Sequence, residues 1–253
     1  MKILIAKFGT EVLMDGGKLA PPLFIRAARQ IMQLQGQGVR VIVVSSGSIQ
    51  AGRERVMELG RDPSKFSKKT LAAIGSRPLL NKWSEAFAPS VDVGQLWVTY
   101  RNWQDDGERK SIKTELDALL NSGLVPIVNE NDVVSDEELR KYELGIGEND
   151  QLARMVAELV GAEAVVFLTS TGGVYEANPS LNPGAKLLSV LDSSVLERLS
   201  LFGNSGKGTG GMETKIREAL WCAKKGMRAA IAGLTEDSIL RFGRGEDVGT
   251  VVR

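Results

Sequence analysis

Short apolar runs alternate with longer amphipathic ones along nearly the whole chain. The short runs predict strands at Ile3–Phe8, Val39–Ser45, Gly94–Thr99, Val125–Asn129, Ala164–Thr169, Ala229–Ala232 and Gly249–Val252. Val39–Val44 is almost continuously β-branched, which marks a strand buried on both faces. Between the strands, apolar spacings of three and four predict helices at Pro22–Gln35, Ile49–Leu59, Lys69–Phe87, Ile112–Ser122, Asp150–Val160, Ser193–Leu199 and Met212–Lys225. Such alternation predicts a three-layer α/β/α sandwich with an open, mostly parallel sheet. Ligands of such sheets gather at the C-terminal ends of the strands. Glycine and proline are scattered at element boundaries and no repeat or low-complexity linker intervenes, so residues 1–253 read as one domain.

Composition narrows the chemistry. Lysine and arginine total 32 against 31 acidic residues, a net charge of +1, so no bulk field favours nucleic acid or an anionic membrane. No run approaches the roughly 20 apolar residues of a membrane span, and Lys7 interrupts the apolar N-terminus too early for an export signal. A cytoplasmic location is expected. The lone cysteine, Cys222, can form neither an intrachain disulfide nor a cysteine-based zinc site. The chain has no histidine. Histidine-dependent triads, dyads and acid–base pairs are therefore excluded. What remains is chemistry on carboxylates, lysines, backbone amides or a bound metal.

Six polar segments, five of them containing glycine, fall where strands end or helices begin: Lys7–Thr10, Ser45–Ser48, Asn129–Asp132, Gly147–Asp150, Thr169–Gly173 and Gly206–Lys215. Turns and helix N-caps prefer such residues, so each segment alone has a bland explanation. Six at one end of one sheet point instead to a site. Their chemistry suits phosphoryl transfer, which needs cations and N–H donors around the transferring group more than covalent help. Lys7 brings an ammonium beside Gly9. The glycine-rich segment before Lys215 brings amides and the positive end of a helix dipole. Spacing alone leaves Lys215 open to the reading of a solvated surface lysine. Gly206, Gly208 and Gly211 match GxGxxG, but no buried strand precedes them, and the GxxxxGK[ST] phosphate loop is absent.

Taken together, these segments resemble the amino-acid kinase family over nearly the whole chain, and within it the branch acting on the γ-carboxylate of L-glutamate. Asn129–Asp132 and Gly208–Lys215 are the most specific stretches; Lys7–Thr10 and Ser45–Gly47 are shared more widely, and Ala72–Gly75 and Gly249–Thr250 agree. The resemblance implies the amino-acid kinase fold, with the acid substrate on an N-terminal lobe of about residues 1–160. The nucleotide would lie on a C-terminal lobe of about residues 161–253. It implies that Lys7 and Lys215 stabilise the transferring phosphoryl group while Asp150 orients both lysines. Ser46, Gly47, Asp132 and Asn149 would hold L-glutamate. Lys7, Gly9, Thr169, Ser170 and Thr209, Gly210, Gly211, Met212, Glu213, Thr214 and Lys215 would contact ATP. Magnesium would come with the nucleotide, with no protein metal ligands, and a homo-oligomer without nucleic-acid or membrane partners is expected.

The chain also departs from that pattern. Thr169–Ser170, Gly172–Gly173 and Asn178–Pro179 stand where relatives usually carry Thr-Asp, Asp-Gly and Asp-Pro. The expectation is weakened or less selective ATP use, tightened by Ser170→Asp. Glu148 replaces an aspartate beside Asn149, and Arg109–Thr114 replaces an Asn-Ala-Arg-Asn-like segment. The small C-terminal RNA-binding-like (PUA) domain of many relatives is not expected in this chain. Acetylglutamate, aspartate or isopentenyl phosphate remain alternative acceptors, and a non-catalytic nucleotide- or amino-acid-binding protein is the alternative of another class.

Overall fold

The computed structural model describes residues 2–134, 149–179, 181–192 and 210–253. Its strands are β1 (Lys2–Phe8), β2 (Met14–Asp15), β3 (Lys18–Leu19), β4 (Val39–Ser45), β5 (Val93–Val98), β6 (Val125–Glu130), β7 (Ala164–Leu168), β8 (Val190–Leu191), β9 (Arg228–Ala232) and β10 (Thr250–Val252). Its helices are α1 (Pro21–Gly36), α2 (Ser48–Glu58), α3 (Lys68–Phe87), α4 (Tyr100–Gln104), α5 (Asp106–Asn121), α6 (Asn149–Val160), α7 (Gly210–Lys224) and α8 (Ser238–Gly243). Eight strands form one sheet in the order β5-β6-β4-β1-β7-β9-β10-β8. From β5 to β9 every pairing is parallel, whereas β10 runs antiparallel to β9. The mostly parallel α/β sheet is as the alternation predicts.

Strand periodicity sorts the two helical layers. Leu4, Ala6 and Phe8 of β1 join a core with α1 and α3, including Phe24, Ile31, Trp83 and Phe87. Ile3 and Ile5 join a second core with α5, α6 and α7, including Leu116, Val156 and Ala219. The period of two therefore sets Lys7 on the α6 side of the sheet. Trp83 is fully buried, edge-on to Phe8 and Phe24 with ring centroids 5.0 and 4.9 Å away. Its indole Nε1 donates to Ser45 Oγ at 2.9 Å, anchoring α3 to the tip of β4.

The differences from the sequence reading have local causes. α5 begins at Asp106, six residues before the predicted Ile112, because its first turns are polar and Asp105 caps them by accepting from the Glu108 N–H at 2.8 Å. Arg109–Thr114 is thus helical. The β2–β3 hairpin, β8, α4 and α8 are too short for periodicity to reveal. The predicted helix Ser193–Leu199 lies outside the described residues. Among the described residues, no helix is long and apolar enough to cross a membrane.

Candidate active site

The chain builds β1, then β4, β5 and β6 to one side of it, and returns to place β7 on the other side. The order reverses between β1 and β7, and a ligand crevice forms at such a point. Lys7, one residue from the end of β1, lies on the face that α6 covers. Asp150, in the first turn of α6, meets it with Oδ1 2.7 Å from Lys7 Nζ. The other oxygen, Oδ2, lies 3.1 Å from Lys215 Nζ and accepts from Thr214 Oγ1 at 2.9 Å. Asp150 is completely buried, and the side chains of Lys7 and Lys215 are 5% and 11% exposed. Lys215 is thus no surface lysine. It folds back along α7 to donate to the Gly211 carbonyl at 3.0 Å.

One carboxylate bridging two ammonium groups leaves a net positive charge at the crevice. Burial pushes the Asp150 carboxyl up. The Lys7 and Lys215 charges and the hydrogen bonds from Lys7 and Thr214 outweigh burial and hold it below the usual carboxylate range. Asp150 is accordingly a fixed anion that orients two cations.

A second polar network sits at the ends of β4 and β6. Asn149 Nδ2 donates to Ser46 Oγ at 2.8 Å and to Asn129 Oδ1 at 3.0 Å. Asn129 Nδ2 in turn donates to Ser48 Oγ at 2.7 Å. With its amide hydrogens engaged, Asn149 keeps a buried Oδ1 that has no hydrogen-bond partner among the described residues, an acceptor placed to meet a donor. Gly47 joins β4 to α2 at φ 121°, a left-handed conformation that favours glycine. Its turn sets the N-terminus of α2 beside this network.

That N-terminus is held by backbone contact between helices. A Cβ on Gly75 of α3 would lie 1.8 Å from the Ser48 carbonyl oxygen, and one on Gly52 of α2 would lie 1.9 Å from that of Leu71. The two glycines let α2 and α3 pack without side chains between them.

The remaining sequence-derived candidates fall at the same end of the sheet. Asp132 lies in the turn directly after β6, with its N–H donating to the Glu130 carbonyl at 3.0 Å. Gly9 follows β1, and a Cβ there would be 3.8 Å from Lys7 Nζ. Thr169, largely buried, and the exposed Ser170 follow β7. Gly210 and Gly211 open α7. Glu213 on its first turn is exposed, and Met212 packs against the α6-side core. Thr209 lies outside the described residues, as do Gly147 and Glu148. Sequence reasoning put Asn129 and Ser48 inside candidate segments but gave neither a role of its own. Their signal was a polar residue closing an apolar strand and a serine following a glycine turn.

Comparison with known proteins identifies the family and the fold. The model of the amino acid kinase family matches residues 2–233. The chain belongs to this family, and it is a kinase. Among curated proteins, glutamate 5-kinase of Haemophilus influenzae (strain PittEE) is 36% identical over 254 residues, covering 98% of this chain and 68% of the relative. The chain thus spans about two thirds of that relative's length. Solved structures similar in fold include an isopentenyl phosphate kinase, with TM-score 0.67, 21% identity and coverage of 99% and 100% of the two chains. UMP kinase from Bacillus anthracis superimposes with TM-score 0.65 and 16% identity over 100% and 96%.

Proposed function

We propose that this kinase transfers the γ-phosphoryl group of ATP to the γ-carboxylate of L-glutamate, forming L-glutamyl 5-phosphate and ADP, the first step of proline biosynthesis. The observation that carries the reading is the buried Lys7–Asp150–Lys215 bridge, a fixed pair of cations at the switch point of the sheet. The resemblance to glutamate 5-kinase over 98% of the chain supports the acceptor.

The chemistry needs little else from the protein. A γ-carboxylate is ionised at neutral pH, with an unperturbed pKa of about 4.3, and attacks phosphorus without a general base. As its oxygen bonds to the γ-phosphorus, the bond to the bridging oxygen of ADP breaks. Charge then spreads over the equatorial oxygens, where Lys7 and Lys215 act, joined by amides of Gly9 and of the α7 N-terminus. Ser46 and Asn149 hold the acceptor; the Asn149 Oδ1 and the Asp132 carboxylate receive its α-ammonium. Thr169, Ser170 and the segment Thr209–Lys215 line the nucleotide side.

The donor set fits a magnesium ion that arrives on the nucleotide. Both Asp150 oxygens are held by lysines and Thr214, and no cluster of three or more metal-ligating side chains occurs among the described residues. When bound, magnesium neutralises phosphate charge. ADP release measured with magnesium and ATP tests the acceptor: L-glutamate supports turnover, while acetylglutamate, aspartate, isopentenyl phosphate and no acceptor do not. Turnover with another acceptor in place of glutamate overturns the assignment.

A further inference from the structure

We propose that Glu11, working with Ser170, takes the sugar hydroxyls of the nucleotide and so makes the site select a ribonucleotide; this rests on the kinase reading above. β1 and β7 are neighbours in register, with Phe8 opposite Leu168. The segments leaving them therefore run side by side at the point where strand order reverses. In dinucleotide-binding sheets whose ligand lies across such a crevice, an acidic side chain near a strand end accepts from a ribose hydroxyl.

The two segments hold a single carboxylate between them. Gly9–Leu13 contributes Glu11, and Thr169–Gly173 contributes none. Asp150 is committed, buried between two lysines. Glu11, in contrast, is exposed in the first turn of the short 3-10 helix Thr10–Leu13. Its Oε2 accepts from Ser170 Oγ at 3.3 Å, so the carboxylate and the hydroxyl front the same space. A carboxylate repels a triphosphate and is acceptor-only, so its complement on a nucleotide is a neutral donor. The sugar supplies two such hydroxyls, while Lys7 and Lys215 claim the phosphate end.

This arrangement reverses the expectation that Ser170→Asp tightens ATP use. An aspartate at 170 would stand beside Glu11 as a like charge and weaken binding. It helps only when Glu11 is gone.

Titration calorimetry of magnesium-ATP and magnesium-2′,3′-dideoxy-ATP against the full chain tests the proposal. Glu11 is exposed, so its variants are expected to fold, and unchanged circular dichroism checks this. Glu11→Ala should lose roughly tenfold in affinity for ATP and little for the dideoxynucleotide. Ser170→Asp should weaken ATP binding in the wild-type background and restore it in Glu11→Ala. The proposal is overturned if Glu11→Ala binds ATP as the wild type does, or loses equally for both nucleotides. Failure of the wild type to bind ATP at all would instead remove the kinase reading on which it rests.

Discussion

The Thr214 hydroxyl and the Lys215 ammonium, adjacent in sequence, converge on one oxygen of Asp150, at 2.9 and 3.1 Å. Lys7 takes the other oxygen. Thr214 thus positions the carboxylate that positions both cations. Removing its hydroxyl with Thr214→Val should lower kcat roughly tenfold, the scale of one hydrogen bond to a charged group, with KM for both substrates little changed. Thr214→Ser should recover most of the loss. Equal kcat in the valine variant would confine Thr214 to packing.

The lysines themselves carry the larger effect. Lys7→Ala and Lys215→Ala should each lower kcat by roughly 10²–10³. The buried bridge makes both lysines matter to folding as well as to catalysis. Each substitution leaves the fully buried Asp150 one lysine short, and breaking a buried pair costs up to about 3–5 kcal/mol, less here because the other lysine and Thr214 remain. Lys7→Met combined with Asp150→Asn should regain stability in urea unfolding without regaining activity. A Lys7→Ala variant as stable as wild type would contradict the bridge.

Asp150 also sets an acid limit. Its folded pKa lies below its ordinary value of 3.8, so the stability it confers is complete above that value and is lost as pH falls through the depressed folded value. Around neutrality its contribution is flat. Asp150→Asn should reduce stability at about pH 7 and close the gap to wild type in strong acid, measured by denaturant midpoints. A gap that widens on acidification would reverse the sign.

Close helix packing makes a separate prediction. Gly75→Ala would drive a Cβ to 1.8 Å from the Ser48 carbonyl and 2.3 Å from the Gly52 nitrogen, displacing the start of α2. It should cost at least about 1–3 kcal/mol and raise KM for the acceptor through Ser46 and Gly47. Gly36→Ala, where an added Cβ meets nothing within 4 Å, is the control and should be neutral or slightly stabilising in thermal melts.

Cys222 should be silent. It is buried, and burial pushes its thiol up to about 12, aided by Glu218 and Glu158 against Arg154. Native protein should resist alkylation by iodoacetamide and keep full activity, whereas denatured protein should react. Rapid labelling of the native chain would show that the α6-side core is open.

The sheet and the polar strand ends were legible because burial writes itself as short apolar runs, and Lys7 stands out as a charge inside one. The depth of Lys215 was not legible: its helix spacing is shared with any surface lysine, and only the contact with Asp150 distinguishes it. The pairing of Asn129 with Ser48 and Asn149 was hidden for a similar reason, since buried amide networks join residues distant in sequence. Gly52 and Gly75 carried a usable signal, because glycine inside a helix costs stability and so implies a close neighbour. The early start of α5 was lost because its first turns are polar and capped by Asp105.

The most direct measurement is trapping of the acyl phosphate. Incubation of the chain with magnesium, ATP, L-glutamate and hydroxylamine should yield γ-glutamyl hydroxamate, identified by mass, in proportion to the ADP formed. The product should disappear with Lys7→Ala and Lys215→Ala. ADP release without hydroxamate from glutamate, or hydroxamate from acetylglutamate or aspartate in its place, would contradict the account.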